Sequence, residues 1–145
     1  MFTKILFPTD FSAASEKAKD KLVEMSQCNI GEVVLFHVVD IRIFSYSTML
    51  DIIEVDNWYK DGKLIREITK KLDVWKNEFE KAGFKVSTEI KEGIPFDEIL
   101  KYTEKNSITS IALAGVGHGV VERMLIGTTA EKVLRKSKVS VVLIR

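Results

Sequence analysis

Short apolar runs alternate along this chain with longer stretches in which apolar residues recur every three or four positions. In one run, the segment from Val33 to Val39 is almost continuously apolar, which is typical of a central strand covered on both faces. Runs of this kind predict five strands, which are KILFP (4–8), GEVVLFHVVD (31–40), FKVSTEI (84–90), SIALA (110–114) and VSVVLI (139–144).

Amphipathic stretches between these runs predict four helices. The first begins near Ser12, a favoured N-cap residue, and its apolar face carries Ala14, Ala18, Leu22 and Met25. The second is the most regular and should end at Gly83, with Ile65, Ile68, Leu72, Trp75, Phe79 and Ala82 inward. The third opens at Pro95, with Phe96, Ile99, Leu100 and Thr103 inward, and the fourth covers residues 127–137. Residues 41–57 have no clean period and are interpreted as a long connection.

The alternation of strands and helices predicts an α/β fold, with a parallel sheet covered by helices on both faces. Ligands of such sheets bind beyond the carboxyl ends of the strands, at a topological switch point. The residues of interest therefore follow the strands directly: Pro8, Thr9 and Asp10, then Val38, Val39 and Asp40, then Gly93, and finally the segment from Ala114 onward.

Composition narrows the function classes. The 145 residues fit one domain, and 46% hydrophobic with 30% charged residues is ordinary for a globular protein. The 22 Lys+Arg against 21 Asp+Glu leave a formal net charge of +1, which gives no electrostatic footprint for nucleic acid. A single cysteine, Cys28, excludes an intramolecular disulfide and is expected to be buried or inert. The sequence offers neither a signal peptide nor an apolar run of about 18 residues, so a cytoplasmic, membrane-free protein is expected.

The segment GVGHGVVERMLIGTT (115–129) carries four of the chain's eight glycines. Glycines let a backbone approach phosphate closely, and a helix opening at Thr128 would offer free N–H donors to an anion. A competing interpretation needs no ligand, because Thr128 and Glu131 also form a capping box worth about 1 kcal/mol. The segment is neither a Walker A motif nor a G-x-G-x-x-G loop after the first strand.

The remaining polar residues predict little chemistry. His37 lies inside an apolar strand and is interpreted as a satisfied core histidine, and His118 lies in the glycine segment, within reach of a phosphate. Two histidines in separate segments predict no metal site, and no catalytic triad follows from spacing. Four basic residues are interpreted as a solvated face and helix-end charges: Arg123, Arg135, Lys136 and Lys138.

The segments KILFPTDFS, HVVD, EGIPFDEIL and GTTAEKVLRKSKVSVVLIR together resemble the universal stress protein family, over essentially the whole chain. The nucleotide-binding branch of that family carries G-x-x-G, nine residues, then G-[ST]. Gly117, the nine residues 118–126 and Gly127-Thr128 match its second half, and Ala114 stands where the first glycine would be. In a competing register that starts at Gly115, the next glycine, Gly119, is four residues on, and only seven residues separate it from Gly127. Binding would tolerate Ala114 if it keeps an extended backbone at the strand end, with the turn left to Gly115.

The resemblance implies a single domain, residues 1–145, with a Rossmann-like, open five-stranded parallel sheet of strand order 3-2-1-4-5. It also implies that Asp10 bonds the nucleoside, beside a wall of Pro8 and Thr9, and that the backbone of Val38 reads adenine. A different role for Asp10 would be to favour the dipole of the first helix. The remaining predicted nucleotide contacts are Ala114, Gly115, Gly117, His118, Gly127, Thr128 and Thr129.

The function implied by the resemblance is a stress-response sensor or switch that binds ATP or another adenine nucleotide, with Mg²⁺ as a candidate companion ion. At most slow ATP hydrolysis is expected, because no residue set supplies an activated water, a metal clamp and charge stabilisation together. An alternative is a nucleotide-free dimerising module with a degenerate site; an adenylate-forming enzyme is disfavoured by PTDFS after the first strand. Both leading alternatives predict a homodimer through the C-terminal strand, Val139 to Ile144.

Overall fold

The computed structural model describes residues 2–43, 62–115 and 126–145. Its five strands form one parallel sheet in the order β3-β2-β1-β4-β5, which confirms the predicted α/β class and strand order. The strands are β1 (Lys4–Pro8), β2 (Glu32–Asp40), β3 (Lys85–Gly93), β4 (Ser110–Ala114) and β5 (Ser140–Ile144).

Four α-helices lie wholly within the described segments: α1 (Ala13–Glu24), α2 (Lys63–Lys81), α3 (Pro95–Lys105) and α4 (Thr128–Lys136). A short 3-10 helix, Met25–Cys28, follows α1. Ser12 caps α1 as predicted, because its hydroxyl accepts a 3.2 Å hydrogen bond from the amide N–H of Ser15. Gly83 follows α2 with a φ of +98°, a backbone conformation that favours glycine and ends the helix.

The core lies on both faces of the sheet. On the first face, α2 buries Ile68, Leu72, Trp75 and Phe79 against alternate residues of β1 and β2. The rings of Phe7 and Trp75 stack there with centroids 6.0 Å apart. The second face holds Ile99 of α3 and Val133 of α4, packed on the other strand residues. Four consecutive residues of β2, 33–36, are fully buried, as expected for a central strand covered twice.

Two predictions need correction. The third strand continues three residues beyond its predicted end at residue 90, because β3 pairs with β2 along its whole length up to Gly93 opposite Asp40. Cys28 is exposed rather than buried, because it lies at the end of the 3-10 helix. Of the predicted connection at 41–57, residues 44–57 lie outside the described residues. Within the described residues, no helix has the length and apolar character needed to cross a membrane.

Candidate functional site

A cavity of about 840 Å³ opens at the carboxyl ends of β1, β2 and β4. It lies at the switch point of the sheet, where β1 and β4 are neighbours although two strands, β2 and β3, separate them along the chain. Its volume is within the range of about 300–1,000 Å³ that small-molecule sites occupy. The position is the one that open parallel sheets use for ligands.

Nine of the eleven predicted contact residues line this cavity. The other two, Gly117 and His118, lie outside the described residues. The nine come from four separate places in the chain, and only the topology brings them together. They are Pro8, Thr9, Asp10, Val38, Ala114, Gly115, Gly127, Thr128 and Thr129.

Asp10 is bonded to the start of α1. Its Oδ1 atom accepts a 2.9 Å hydrogen bond from the amide N–H of Ser12 and a 2.8 Å hydrogen bond from the hydroxyl of Ser15. Burial raises the pKa of Asp10, but the hydrogen bonds from Ser12 and Ser15 outweigh it, so the pKa lies below its usual value. The carboxylate is therefore ionised at neutral pH. Both of these hydrogen bonds are made to Oδ1.

The loop after β1 is joined to β2 by two hydrogen bonds and braced internally by a third. The amide N–H of Thr9 donates 2.8 Å to the carbonyl of Phe36, and the carbonyl of Thr9 lies 2.7 Å from Nδ1 of His37. Inside the loop, the amide N–H of Phe11 donates 2.9 Å to the hydroxyl of Thr9. Phe11 itself has a φ of +59°, which is unusual for a side chain with a Cβ. The loop thus presents Asp10 to the cavity from a fixed backbone.

The backbone of β2 offers an unpaired edge beside this loop. Phe36 is the last β2 residue paired with β1, opposite Pro8, whereas β2 runs on to Asp40. The side chain of Val38 packs into the second face of the core, so its backbone borders the cavity. Amide and carbonyl groups on this side of residues 37–40 have no strand partner among the described residues.

Ala114 has an extended, strand backbone and pairs with Ile144 of β5. Its φ is not among the positive values of the described residues, so its methyl group introduces no backbone strain. Gly115 continues the ladder: its amide N–H donates 2.6 Å to the carbonyl of Ile144. Its φ is not positive either, so the expectation that Gly115 makes a glycine-type turn is wrong.

The start of α4 also differs from its predicted cap. Gly127 is the N-cap, with a φ of +65°, and Thr128 is already the first helical residue. No side-chain hydrogen bond caps this end among the described residues, and Glu131 bonds Arg135 instead of reaching back. The capping box is therefore not formed, because Thr128 lies one position too far into the helix. The amide groups of the first turn point outward without a capping side chain.

Sequence reasoning missed most of the apolar wall. Asp40 also lines the cavity, where Arg42 donates 2.9 Å and 2.6 Å to its two carboxylate oxygens and lowers its pKa. The apolar wall residues that the sequence did not indicate lie on elements distant in the chain, so no local spacing signals them. They are Phe36, Ile43, Leu64, Ile68, Pro95, Ile99, Leu113 and Ile126. The described residues contain no group of three or more His, Cys, Asp or Glu side chains that could hold a metal.

Fold and site together define an α/β protein with a small-molecule cavity at the switch point of a parallel sheet. Residues 1–145 match the family described as the universal stress protein family, and the chain belongs to it. Universal stress protein MJ0577 of Methanocaldococcus jannaschii is 33% identical over 156 residues, covering 100% of this chain and 96% of its own length.

Solved structures agree with this assignment. The structure of MJ0577 has a TM-score of 0.79 at 35% identity and covers 99% of this chain and 96% of its own. Protein PH0823 has a TM-score of 0.74 at 32% identity, with coverage of 99% and 96%. A universal stress protein from Archaeoglobus fulgidus, solved in complex with dAMP, covers both chains fully with a TM-score of 0.66. At 17% identity, this last likeness shows a common fold alone.

Proposed function

We propose that this chain binds an adenine nucleotide in the switch-point cavity and acts as a nucleotide-dependent sensor or switch, with residues 1–145 forming one domain. The observation that carries the proposal is the meeting of two kinds of groups in one cavity. Asp10 and the unpaired edge of β2 can hold a nucleoside, and the uncapped start of α4 can hold a phosphate.

The nucleoside end rests on hydrogen-bonding capacity. A purine base offers donors and acceptors on its edge, and the backbone around Val38 offers the complementary N–H and C=O groups. The carboxylate of Asp10 accepts hydrogen bonds only, which suits the hydroxyl groups of a ribose. The apolar wall provided by α2 and α3 suits the flat faces of the base.

The phosphate end rests on α4. The first amide groups of a helix and the positive end of its dipole favour an anion. Gly127, Thr128 and Thr129 line the cavity at this end, and the threonine hydroxyls add further donors. The α4 end of the cavity suits both a monophosphate and a triphosphate. AMP is therefore one candidate ligand, and ATP with Mg²⁺ is the larger one. Any ATP hydrolysis would be slow, since phosphoryl transfer needs more positioning groups than the described residues supply.

The experiment that tests the proposal compares the wild type with Thr129→Glu and Thr129→Gln. A glutamate in the first turn favours the helix dipole but repels a phosphate, whereas glutamine keeps the size without the charge. Calorimetric titration with AMP and ATP, with and without Mg²⁺, should give measurable affinity for the wild type and Thr129→Gln. Thr129→Glu should bind at least about tenfold more weakly while remaining as stable to heat.

Native mass spectrometry of freshly purified protein, followed by acid release, identifies any nucleotide that is carried through purification. A protein without bound nucleotide, and with no affinity for AMP or ATP, would contradict the proposal. It would support the second candidate, a nucleotide-free dimerising module. That candidate is favoured by Asp10, because its Oδ1 already has two partners, the N-cap Ser12 and Ser15 of α1.

We further propose a homodimer in either case. β5 is an edge strand of the sheet, and Val141, Val142 and Leu143 are only partly buried. An apolar edge of this kind invites pairing with another strand, and the last strand of a second copy is the natural partner.

A further inference from the structure

His37 borders the cavity on the face of the sheet that α1 and α2 cover. Its Nδ1 atom lies 2.7 Å from the carbonyl oxygen of Thr9. A carbonyl oxygen only accepts hydrogen bonds, so Nδ1 must carry the hydrogen. In the neutral ring this assignment makes Nε2 the acceptor.

The imidazole cannot easily exchange its two nitrogens by turning over. Phe11 packs against it with ring centroids 5.1 Å apart and planes inclined by 30°. Phe11 is itself held in place by two contacts. Its amide N–H donates a hydrogen bond to the hydroxyl of Thr9, and its ring makes an edge contact with Trp75, with centroids 5.3 Å apart. The Thr9 carbonyl is fixed in turn, since the amide of Thr9 bonds Phe36.

Nε2 of His37 has no hydrogen-bond partner among the described residues, although the ring lines a cavity that also contains Asp10. We propose that His37 is a specificity-determining residue of the nucleotide site, whose Nε2 accepts a hydrogen bond from an O–H or N–H group of the bound nucleotide. The inference rests on the proposed function. The donor is either a ribose hydroxyl or the 6-amino group of adenine, which share this chemistry.

Burial, rather than the surrounding charges, favours the neutral form of the ring. Burial lowers the pKa of His37, and Lys71 of α2 lowers it further, whereas Asp10 of the loop after β1 and the bond to Thr9 act in the opposite direction. The opposite residue on β3 is Ile90, which is apolar. An accepting Nε2 is therefore available at neutral pH, and protonation in acid would remove it.

The test uses His37→Asn. The Asn amide can donate to the Thr9 carbonyl from the position of Nδ1, and nothing replaces Nε2. Calorimetric titrations at pH 7.5 compare AMP with 2′-deoxy-AMP, 3′-deoxy-AMP and the purine monophosphate that lacks the 6-amino group. In the wild type, one analogue should bind roughly threefold to tenfold more weakly than AMP because it lacks the donor. In His37→Asn, the difference in affinity between AMP and that analogue should shrink.

The same ratio of AMP to each analogue in both proteins would overturn the role of His37 and leave the proposed function intact. A wild type that binds none of the four nucleotides would overturn both. Acid adds a second readout: between pH 7.5 and 5.5 the AMP affinity of the wild type should fall more than that of His37→Asn. Equal changes in the two proteins would contradict the inference.

Nitrogen NMR of the wild type keeps the inference testable if His37→Asn folds poorly. The chain has two histidines, and comparison with variant spectra assigns the signals of His37. The nucleotide-free protein should show hydrogen on Nδ1 and an unprotonated Nε2, and AMP should shift the Nε2 signal. Hydrogen on Nε2, or no shift at saturating AMP, would overturn the inference.

Discussion

The amide of Gly115 donates a 2.6 Å hydrogen bond to the carbonyl oxygen of Ile144. A Cβ atom at Gly115 would lie 2.8 Å from Cγ of Arg145 and 3.3 Å from the Ile144 carbonyl. The close approach of the end of β5 therefore favours glycine here, although the φ of Gly115 is not positive. The beginning of the glycine segment is thus fixed to the edge strand that we expect at the dimer interface.

Gly115→Ala should lower the free energy of unfolding by about 1–2 kcal/mol, because the new methyl group is forced against β5. Urea unfolding followed by circular dichroism measures the change. Adding Arg145→Ala to this variant should restore part of the loss, since it removes the nearer of the two contacts. Wild-type stability in Gly115→Ala alone would show that the strand ends move apart freely.

Val142→Lys should dissociate the proposed homodimer. Lysine on an edge strand opposes pairing with a second strand. Val86→Lys is the matched control, because Val86 lies on the opposite edge strand, β3, and packs partly buried against the same core cluster. Light scattering coupled to size-exclusion chromatography should show a monomer for Val142→Lys and a dimer for Val86→Lys. If both variants were dimeric, the dimer interface would lie elsewhere than at β5.

The periodicity of apolar residues was sufficient to predict the strands and helices, because both faces of the sheet are covered. The almost continuous apolar run from Val33 to Val39 reflects burial on two sides, and the stripe from Ile68 to Phe79 reflects burial on one. The end of β3 was missed since its last residues, Lys91 and Glu92, are exposed and polar, and only pairing with β2 extends the strand.

The site was predictable where ligand groups follow strands directly, as at Asp10 and Val38. The capping box at Thr128 was wrong because a sequence pattern does not specify which residue the helix uses as its N-cap. His37 looked like an ordinary core histidine, and its bond to the Thr9 carbonyl satisfies one nitrogen only. That His37 lines a cavity depends on packing between elements distant in the chain.

Lys19→Met should lower stability by about 1–2 kcal/mol. Lys19 is only 3% exposed, and its Nζ lies 2.7 Å from Glu16 and 3.1 Å from Asp20, with Glu78 of α2 also bonded. Burial works against its charge, but the three carboxylates raise its pKa overall. Methionine would preserve packing on Trp75 and leave these carboxylates, which are about half exposed, to repel one another.

Lys70→Met is the control for Lys19→Met, because Lys70 forms an ion pair with Glu67 at 3.7 Å on the exposed surface of α2. It should change stability by less than about 0.5 kcal/mol. The loss in Lys19→Met should shrink in 1 M NaCl, since salt screens the repulsion. A loss independent of salt would mean that Lys19 contributes through packing alone.

His37 should make the folded protein sensitive to mild acid. Its pKa in the folded state is lowered, chiefly by burial, whereas the unfolded chain keeps a value near 6.5. The stability contribution of the neutral ring is therefore complete above pH 6.5 and is lost as the pH falls below it toward the folded-state pKa, because the unfolded state binds the proton more readily. Asp10 does not interfere, since its lowered pKa affects stability only near and below 3.8.

Urea unfolding at pH 7.5, 6.5, 5.5 and 5.0 measures this effect against His37→Asn, which keeps His118 and every carboxylate. The wild type should lose stability on acidification more steeply than the variant, and the two curves should become parallel above pH 7. Identical slopes from pH 7.5 to 5.0 would mean that the folded state accepts a proton on His37 as readily as the unfolded chain. In that case the ring would not be held neutral beside the cavity.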